Sequence, residues 1–239
     1  MRLDTALVHR NLYPTRAKAA AAIKGGLVSI NGKIANKSST DVDDNDHIDA
    51  TPLPYISGRG GLKLAHALDE FKIDPTGMRC LDIGSSTGGF TEVLLNRGAT
   101  RVIAVEVGTA QMIDELKNDP RVTLLEETDI RDLTPMGSVD LIVIDVSFIS
   151  LTEIMDAIVS WESLTVIALI KPQFEVPKNV AKRADGIIKS KEDRMYAIDT
   201  VVDAFRNAGY AQNGLIESPI KGGSGNVEYL GLFQRTNGL

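Results

Sequence analysis

The chain has 239 residues, 43% hydrophobic and 24% charged, enough for one large domain and a small one. Its longest apolar runs, such as Val166 to Ile170, are far below the length of a bilayer span, and the N-terminus lacks the apolar core of a signal peptide, so a cytoplasmic protein is expected. The formal charge of −6 hides an asymmetry: residues 1–40 carry seven Lys or Arg against Asp4 alone, a net +6, which leaves −12 for the remainder.

The basic segment has helical and hairpin patterning. Leu3, Ala6 and Leu7 are helix-spaced; Thr15 can cap a second helix through Ala17, Ala20 and Ile23, which Gly25-Gly26 stops. Val28-Ser29-Ile30-Asn31-Gly32-Lys33 reads as a strand entering a turn. In order, R-L-D-T-A-L, R-A-K-A-A-A-A-I-K-G-G-L-V and V-S-I-N-G-K resemble the small RNA-binding domain first recognised in a ribosomal small-subunit protein. The resemblance covers residues 1–50 and implies an RNA partner. Arg2, Arg10, Arg16, Lys18, Lys24, Lys33 and Lys37 are the candidate contacts, with Arg59 beyond. An acidic run (Asp41, Asp43, Asp44, Asp46, Asp49) and Thr51-Pro52-Leu53-Pro54 follow, marking residues 51–58 as a linker.

From residue 59 to 239 strands and helices alternate, as in a doubly wound α/β sheet. Lys63 falls on the first turns of a helix through Leu64, Leu68 and Phe71. A lysine there opposes the helix dipole, which favours a functional reason for it. The stretch L-D-I-G-S-S-T-G-G-F, residues 81–90, is a buried strand, a glycine loop and a helix start. No Gly-Lys-Ser/Thr follows, and G-x-G-x-x-G is absent, so neither a phosphate-binding loop nor the dinucleotide fingerprint is present. What remains, D-x-G-x-x-x-G, resembles the first motif of the methyltransferases that use S-adenosylmethionine. That resemblance implies cofactor contacts from Asp82, Gly84, Ser85, Thr87, Gly88, Gly89 and Phe90. An ordinary glycine turn is the competing interpretation, and the context beyond the loop favours the cofactor. Cys80, inside that strand, reads as a packed thiol, against cytosine carbon-5 methylation, which needs a thiolate.

Further along, Val102–Val107 reads as a strand ending near Glu106, a carboxylate placed to accept ribose hydroxyls. A helix over Thr109–Lys117 and a strand over Val122–Leu125 lead to Asp129, a candidate acceptor for an adenine amino group. Strand Val139–Ile144 ends at Asp145, helix Leu151–Val159 follows, and strand Thr165–Ile170 ends at Lys171. A long helix, Lys191–Asn207, precedes strands around Gly214–Ser218 and Val227–Phe233, which a short glycine-rich connection makes an antiparallel pair. Asp82, Glu106, Asp129, Asp145 and Lys171 all fall at carboxyl ends of strands, where such sheets bind ligands.

The segments L-D-I-G-S-S-T-G-G-F-T-E, D-V-S-F-I-S, I-K-P-Q-F-E and G-N-V-E-Y-L, behind the basic domain, resemble the TlyA family of FtsJ-like ribose 2'-O-methyltransferases, once labelled haemolysins. The resemblance implies a Rossmann-like methyltransferase sheet, mostly parallel with an antiparallel last strand, S-adenosylmethionine as cofactor, no metal, and ribosomal RNA or a ribosomal subunit as partner, with a cytidine as target. It also implies a catalytic tetrad at Lys63, Asp145, Lys171 and Glu228, with Asp145 shared with the cofactor site. Before Lys63 the chain reads S-G-R-G-G-L-K, one glycine more than the usual family pattern. A ribose hydroxyl is a poor nucleophile at neutral pH; a lysine can remove its proton or stabilise the alkoxide. A non-enzymatic ribosome-assembly factor would not need the carboxylate rim, and a pore-forming haemolysin would need a membrane segment that the sequence lacks.

Overall fold

A computed structural model of the chain describes residues 1–13, 15–24, 27–43, 45–50 and 57–236. Most of the expected linker 51–58, and the Gly25-Gly26 helix stop, lie outside the described residues. The chain divides into two compact units, Met1–Gly60 and Gly61–Leu239.

In the first unit, helices α1 (Leu3–His9) and α2 (Arg16–Lys24) share an apolar core with a three-stranded antiparallel sheet. Its strands β1 (Val28–Ile30), β2 (Lys33–Ile34) and β3 (Ile48–Ala50) lie in the order β2-β1-β3. Thr15 Oγ1 accepts from the Lys18 amide at 3.2 Å, which satisfies one of the open donors of α2. Asn31 and Gly32 both take positive φ, the geometry that matches a two-residue hairpin to strand twist. Leu3, Leu7, Ile23 and Val28 are fully buried, so the helix spacing seen in the sequence is the packing face.

The second unit holds all but the first residue of α3 (Gly60–Phe71) and continues through β4 (Arg79–Ile83), α4 (Gly89–Asn96), β5 (Arg101–Val105), α5 (Asp114–Lys117), β6 (Val122–Leu125) and β7 (Leu141–Ile144). Then come α6 (Met155–Ser160), β8 (Thr165–Ile170), α7 (Pro172–Glu175), α8 (Lys178–Arg183), α9 (Lys191–Asn207), β9 (Tyr210–Glu217) and β10 (Tyr229–Arg235). The strands form a seven-stranded sheet in the order β6-β5-β4-β7-β8-β10-β9. From β6 to β8 the pairs are parallel; β10 runs antiparallel to both its neighbours. The winding reverses between β4 and β7, and at such a switch point loops leave a crevice outside the strand ends. The floor is apolar because these strands are covered on both faces: all of β7 is buried, as is β8 after its first residue. At the antiparallel end, Phe205 of α9 stacks on Phe233 at 3.8 Å, and the Tyr210 hydroxyl donates to the Ser163 carbonyl at 2.9 Å. No helix among the described residues is long and apolar enough to cross a membrane.

Several elements differ from the sequence expectation. The helix over 109–117 shrinks to α5, because Ala110 takes φ +51° and Gln111 is drawn to Ser86 and Glu106. The helix expected from Leu151 begins as a 3-10 turn, Leu151–Ile154, capped by Ser150, before α6 takes over. Strand β5 stops at Val105, one residue before Glu106. Strand β9 starts at Tyr210, directly after Gly209 turns the chain with φ +85°.

Candidate active site

The glycine loop follows β4 and places its backbone against the ends of two other strands. Gly84 has φ +82°, and a Cβ there would lie 2.7 Å from the Asp145 carbonyl oxygen, so the two strand ends approach as only glycine permits. The Gly84 and Ser85 amides both donate to the Val105 carbonyl. Gly88 caps α4 with φ +98°, and a Cβ there would lie 2.3 Å from the Leu116 side chain.

Beside this loop lies a cavity of about 710 Å³, lined by Gly84, Ser86, Glu106, Gln111, Asp129, Asp145 and an apolar wall including Ile83, Val105 and Ile130. Its size is that of a small-molecule site. Glu106 is 8% exposed and is held by its own loop: the Ser86 amide donates to Oε2 at 2.8 Å and the Gly108 amide to Oε1 at 2.8 Å. Asp82 is fully buried, its Oδ2 accepting from the Thr91 hydroxyl at 2.6 Å. Its Oδ1 and the Ser85 Oγ have no hydrogen-bond partner among the described residues. Burial raises the Asp82 carboxyl to about 7; the Thr91 hydrogen bond opposes this, and the Asp145 and Glu106 charges add to it. This orphan acceptor belongs to the residue directly before the cavity-lining Ile83 and Gly84, and an ammonium-bearing cofactor would bring donors that satisfy it.

Of the expected cofactor residues, Gly84, Glu106, Asp129 and Asp145 line the cavity, and Asp82, Ser85, Thr87, Gly88, Gly89 and Phe90 do not. Asp129 lines the cavity, but its carboxylate takes the Arg131 guanidinium at 2.7 to 3.2 Å and the Arg131 amide at 2.9 Å. Three donors of Arg131, its amide, Nε and Nη2, thus engage the carboxylate, with Nε shared between the two oxygens and the Asp129 side chain 29% exposed. Arg131 hydrogen bonding, the largest cause, holds that carboxyl below its usual range. Phe90, one of the expected cofactor residues, is 3% exposed and is not among the cavity's lining, because it sits on the first turn of α4 facing the core. Gly89 opens that helix, and Thr87 gives its carbonyl to the Ile113 amide.

The four tetrad candidates stand as two close pairs. Lys63, from α3, donates to Glu228 Oε2 at 2.6 Å, with side chains 10% and 3% exposed. Lys171, just past β8, lies 2.6 Å from Asp145 Oδ1, an ion pair that lacks directed hydrogen-bond geometry, and donates to the Ser147 hydroxyl at 2.7 Å. Tyr229 pairs with Ile170 at the end of the β8–β10 ladder, and Glu228 and Lys171 are the residues next beyond that pair on the two strands. Asp145 belongs to both the tetrad and the cavity wall. Ser147, Gln111 and Ser86 were not singled out from sequence, although Ser147 lies within the D-V-S-F-I-S segment. Their positions come from loop geometry.

In the first unit the basic candidates divide by partner. Arg2 and Arg16 both bind Asp4, at 3.1 and 2.9 Å, and these contacts hold its buried carboxyl far below the usual range. Arg10 donates to the Asp43 and Asp46 carbonyls. Lys33 and Lys37 are exposed and Lys18 is half-buried; the Lys24 side chain lies outside the described residues. Arg59 is half-buried, directly before α3.

The sheet order, the glycine loop at the switch point and the rim of paired lysines and carboxylates define a methyltransferase of the FtsJ-like class. Residues 56–235 match the FtsJ-like methyltransferase family and residues 1–48 the S4 domain. The chain is 43% identical to the 16S/23S rRNA (cytidine-2'-O)-methyltransferase TlyA of Mycobacterium tuberculosis, over 98% of this chain and 90% of that protein. It is 34% identical to the 23S rRNA (cytidine-2'-O)-methyltransferase TlyA of Campylobacter jejuni, over 96% and 97% of the two chains. The chain belongs to the TlyA family. A solved structure described as a hemolysin from Streptococcus thermophilus is similar, with a TM-score of 0.76 and 36% identity over 99% of this chain and 89% of that one.

Proposed function

We infer that the chain methylates the 2'-oxygen of a cytidine ribose in ribosomal RNA, with S-adenosylmethionine as donor, in the cytoplasm where ribosomes are assembled. The observation that supports this reading is the pair of buried lysine–carboxylate contacts, Lys63 with Glu228 and Lys171 with Asp145, the second of which includes a residue of the cavity wall. Buried ion pairs are seldom a net gain in stability, which weakens a purely architectural account of them. In this reading Asp82 and Glu106 hold the cofactor's ammonium and ribose, and the backbone at Gly84 allows close approach. When bound, the cofactor supplies a sulfonium methyl already activated for in-line attack.

The remaining work is the oxygen's. Lys171 manages the 2'-hydroxyl proton, either by accepting it or by stabilising the developing alkoxide. Asp145 and Ser147 hold the Lys171 ammonium in place, and Glu228 holds Lys63 beside it. Residues 1–50 supply RNA affinity, residues 51–58 link, and residues 59–239 carry the chemistry.

Lys171→Ala should reduce methyl transfer at least ~10²-fold, the scale of a general base, and leave cofactor affinity near wild type. Mass spectrometry of nucleosides from ribosomal RNA incubated with protein and S-adenosylmethionine should reveal 2'-O-methylcytidine. A folded Lys171→Ala protein with wild-type turnover would overturn the mechanism; a methyl group on a base instead of a ribose would overturn the reaction.

A further inference from the structure

The I-K-P-Q-F-E segment contributes Lys171 to the site, yet its last residue is also buried and charged. Glu175 ends α7, is 7% exposed and has no cation within ion-pairing distance among the described residues. Its partners are the Ser150 hydroxyl, donating to Oε2 at 2.6 Å, and the Leu151 amide, donating to Oε1 at 3.0 Å. Burial raises its carboxyl, the two hydrogen bonds oppose this, and the nearby Glu153 adds to it. A buried carboxylate without a counter-ion is a costly way to fasten a loop, so what the loop carries becomes the question.

Residues 145–150 are that loop. They begin with Asp145, which pairs with Lys171, and include Ser147, which accepts from Lys171. At their centre Phe148 takes φ +68°, a strained conformation for an aromatic residue, and its ring lies 5.3 Å from that of Phe174. Strain of this kind persists only where the surroundings fix the chain on both sides. The loop is tied to residues 171–175 at its two ends: at the start through Lys171, and at the end through Glu175.

We propose that Glu175 is a positioning residue for methyl transfer, fixing the 145–150 loop through Ser150 and Leu151 so that Asp145 and Ser147 hold the Lys171 amine in line. This rests on the role given to Lys171 above. Glu175 touches neither cofactor nor ribose; it acts through the loop.

The test is a double-mutant cycle on single-turnover rates, with RNA and cofactor saturating. Glu175→Gln retains the shape but replaces one acceptor oxygen by a donor and removes the charge, so the Ser150 contact forms only if its hydroxyl turns to accept, and the charge-assisted hold on the loop is lost. Its rate should fall about 10- to 100-fold, the cost of a small misplacement, with the KM for RNA within about twofold of wild type. Ser147→Ala should also slow the step, and the double variant should be little slower than the slower single variant, since both act through the same lysine. Glu175→Asp, which keeps two acceptors, should recover part of the rate. If Glu175→Gln does not fold, Ser150→Ala removes one of the two contacts and should give a smaller loss with the same non-additivity against Ser147→Ala. A general loss of stability predicts multiplied effects instead. Multiplied effects, or a folded Glu175→Gln with wild-type rate, would overturn the proposal. Wild-type turnover in Lys171→Ala would instead remove the reading beneath it.

Discussion

Asp82 combines full burial, one hydroxyl donor from Thr91 and one oxygen without a partner among the described residues. Burial moves its carboxyl from an ordinary 3.8 to about 7. An acid whose folded value is raised binds its proton more tightly in the native state. Its contribution to stability is therefore full below pH 4 and lost as the pH climbs through about 7, a change on the order of a few kcal/mol. A cofactor ammonium favours the ionised form, so binding near pH 6.5 should release a proton. Calorimetry in buffers of different ionisation heat should detect that release in the wild type and find it diminished in Asp82→Asn; identical buffer dependence in the two would reject it. The residue scale also shows what sequence does not reveal: Asp129 and Arg131 are two apart in the chain, but only their side-chain conformations show that they pair.

At the scale of elements, the turn after β4 is the most constrained. Gly84→Ala would set a methyl group 2.7 Å from the Asp145 carbonyl at a φ of +82°. The clash is with backbone, so the end of β7 must move. The expected result is a loss of roughly 1–3 kcal/mol of stability by urea denaturation, together with weaker cofactor binding, because Asp145 moves with it. Unchanged stability and affinity would show that the close approach is dispensable. Helix α9 matches the Lys191–Asn207 expectation because its signals are local: Ser190 accepts from the Asp193 amide at 3.1 Å, and Ala197, Val201 and Phe205 recur on one buried face. The expected helix over 109–117 failed because its pattern competes with tertiary hydrogen bonds. Gln111 bonds across to Ser86 and Glu106 rather than joining a helical turn, and Ala110 adopts the left-handed region to allow it.

For the molecule as a whole, the charge split of +6 in residues 1–40 against −12 in the remainder sets the third expectation. Arg2, Arg10 and Arg16 are engaged within the first unit, so RNA affinity is assigned mainly to Lys18, Lys33 and Lys37, with Lys24 beside them in sequence. Each phosphate neutralised contributes about −0.7 to −0.9 to the log–log salt slope, so three contacts give a slope between about −2 and −3. Deleting residues 1–50 should weaken RNA binding and flatten that slope, with cofactor affinity unchanged. An equally steep slope in the truncated protein would move the footprint to the basic side chains of Arg59, Lys178, Lys182 and Arg183. Replacing Asp4 by Asn should destabilise the first unit most clearly above pH 4, since a carboxyl held low by Arg2 and Arg16 contributes stability above its ordinary value and loses it on acidification.

Hydrophobic period, glycine spacing and charge are local properties, and from them the sequence alone determined the alternating α/β order, the strand-ending carboxylates and the basic first domain. The order of motifs determined the resemblance that pointed to Lys63, Asp145, Lys171 and Glu228. Pairing is not local. That Lys63 chooses Glu228, 165 residues away, and Lys171 chooses Asp145 depends on the insertion of β10 beside β8 and on the return of α3 to the same rim. The same holds for Glu175 and the 145–150 loop, and for the burial that raises Asp82. Only the folded sheet brings these groups within reach, because hydrogen bonding and desolvation act over a few ångströms of space, whatever the distance along the chain.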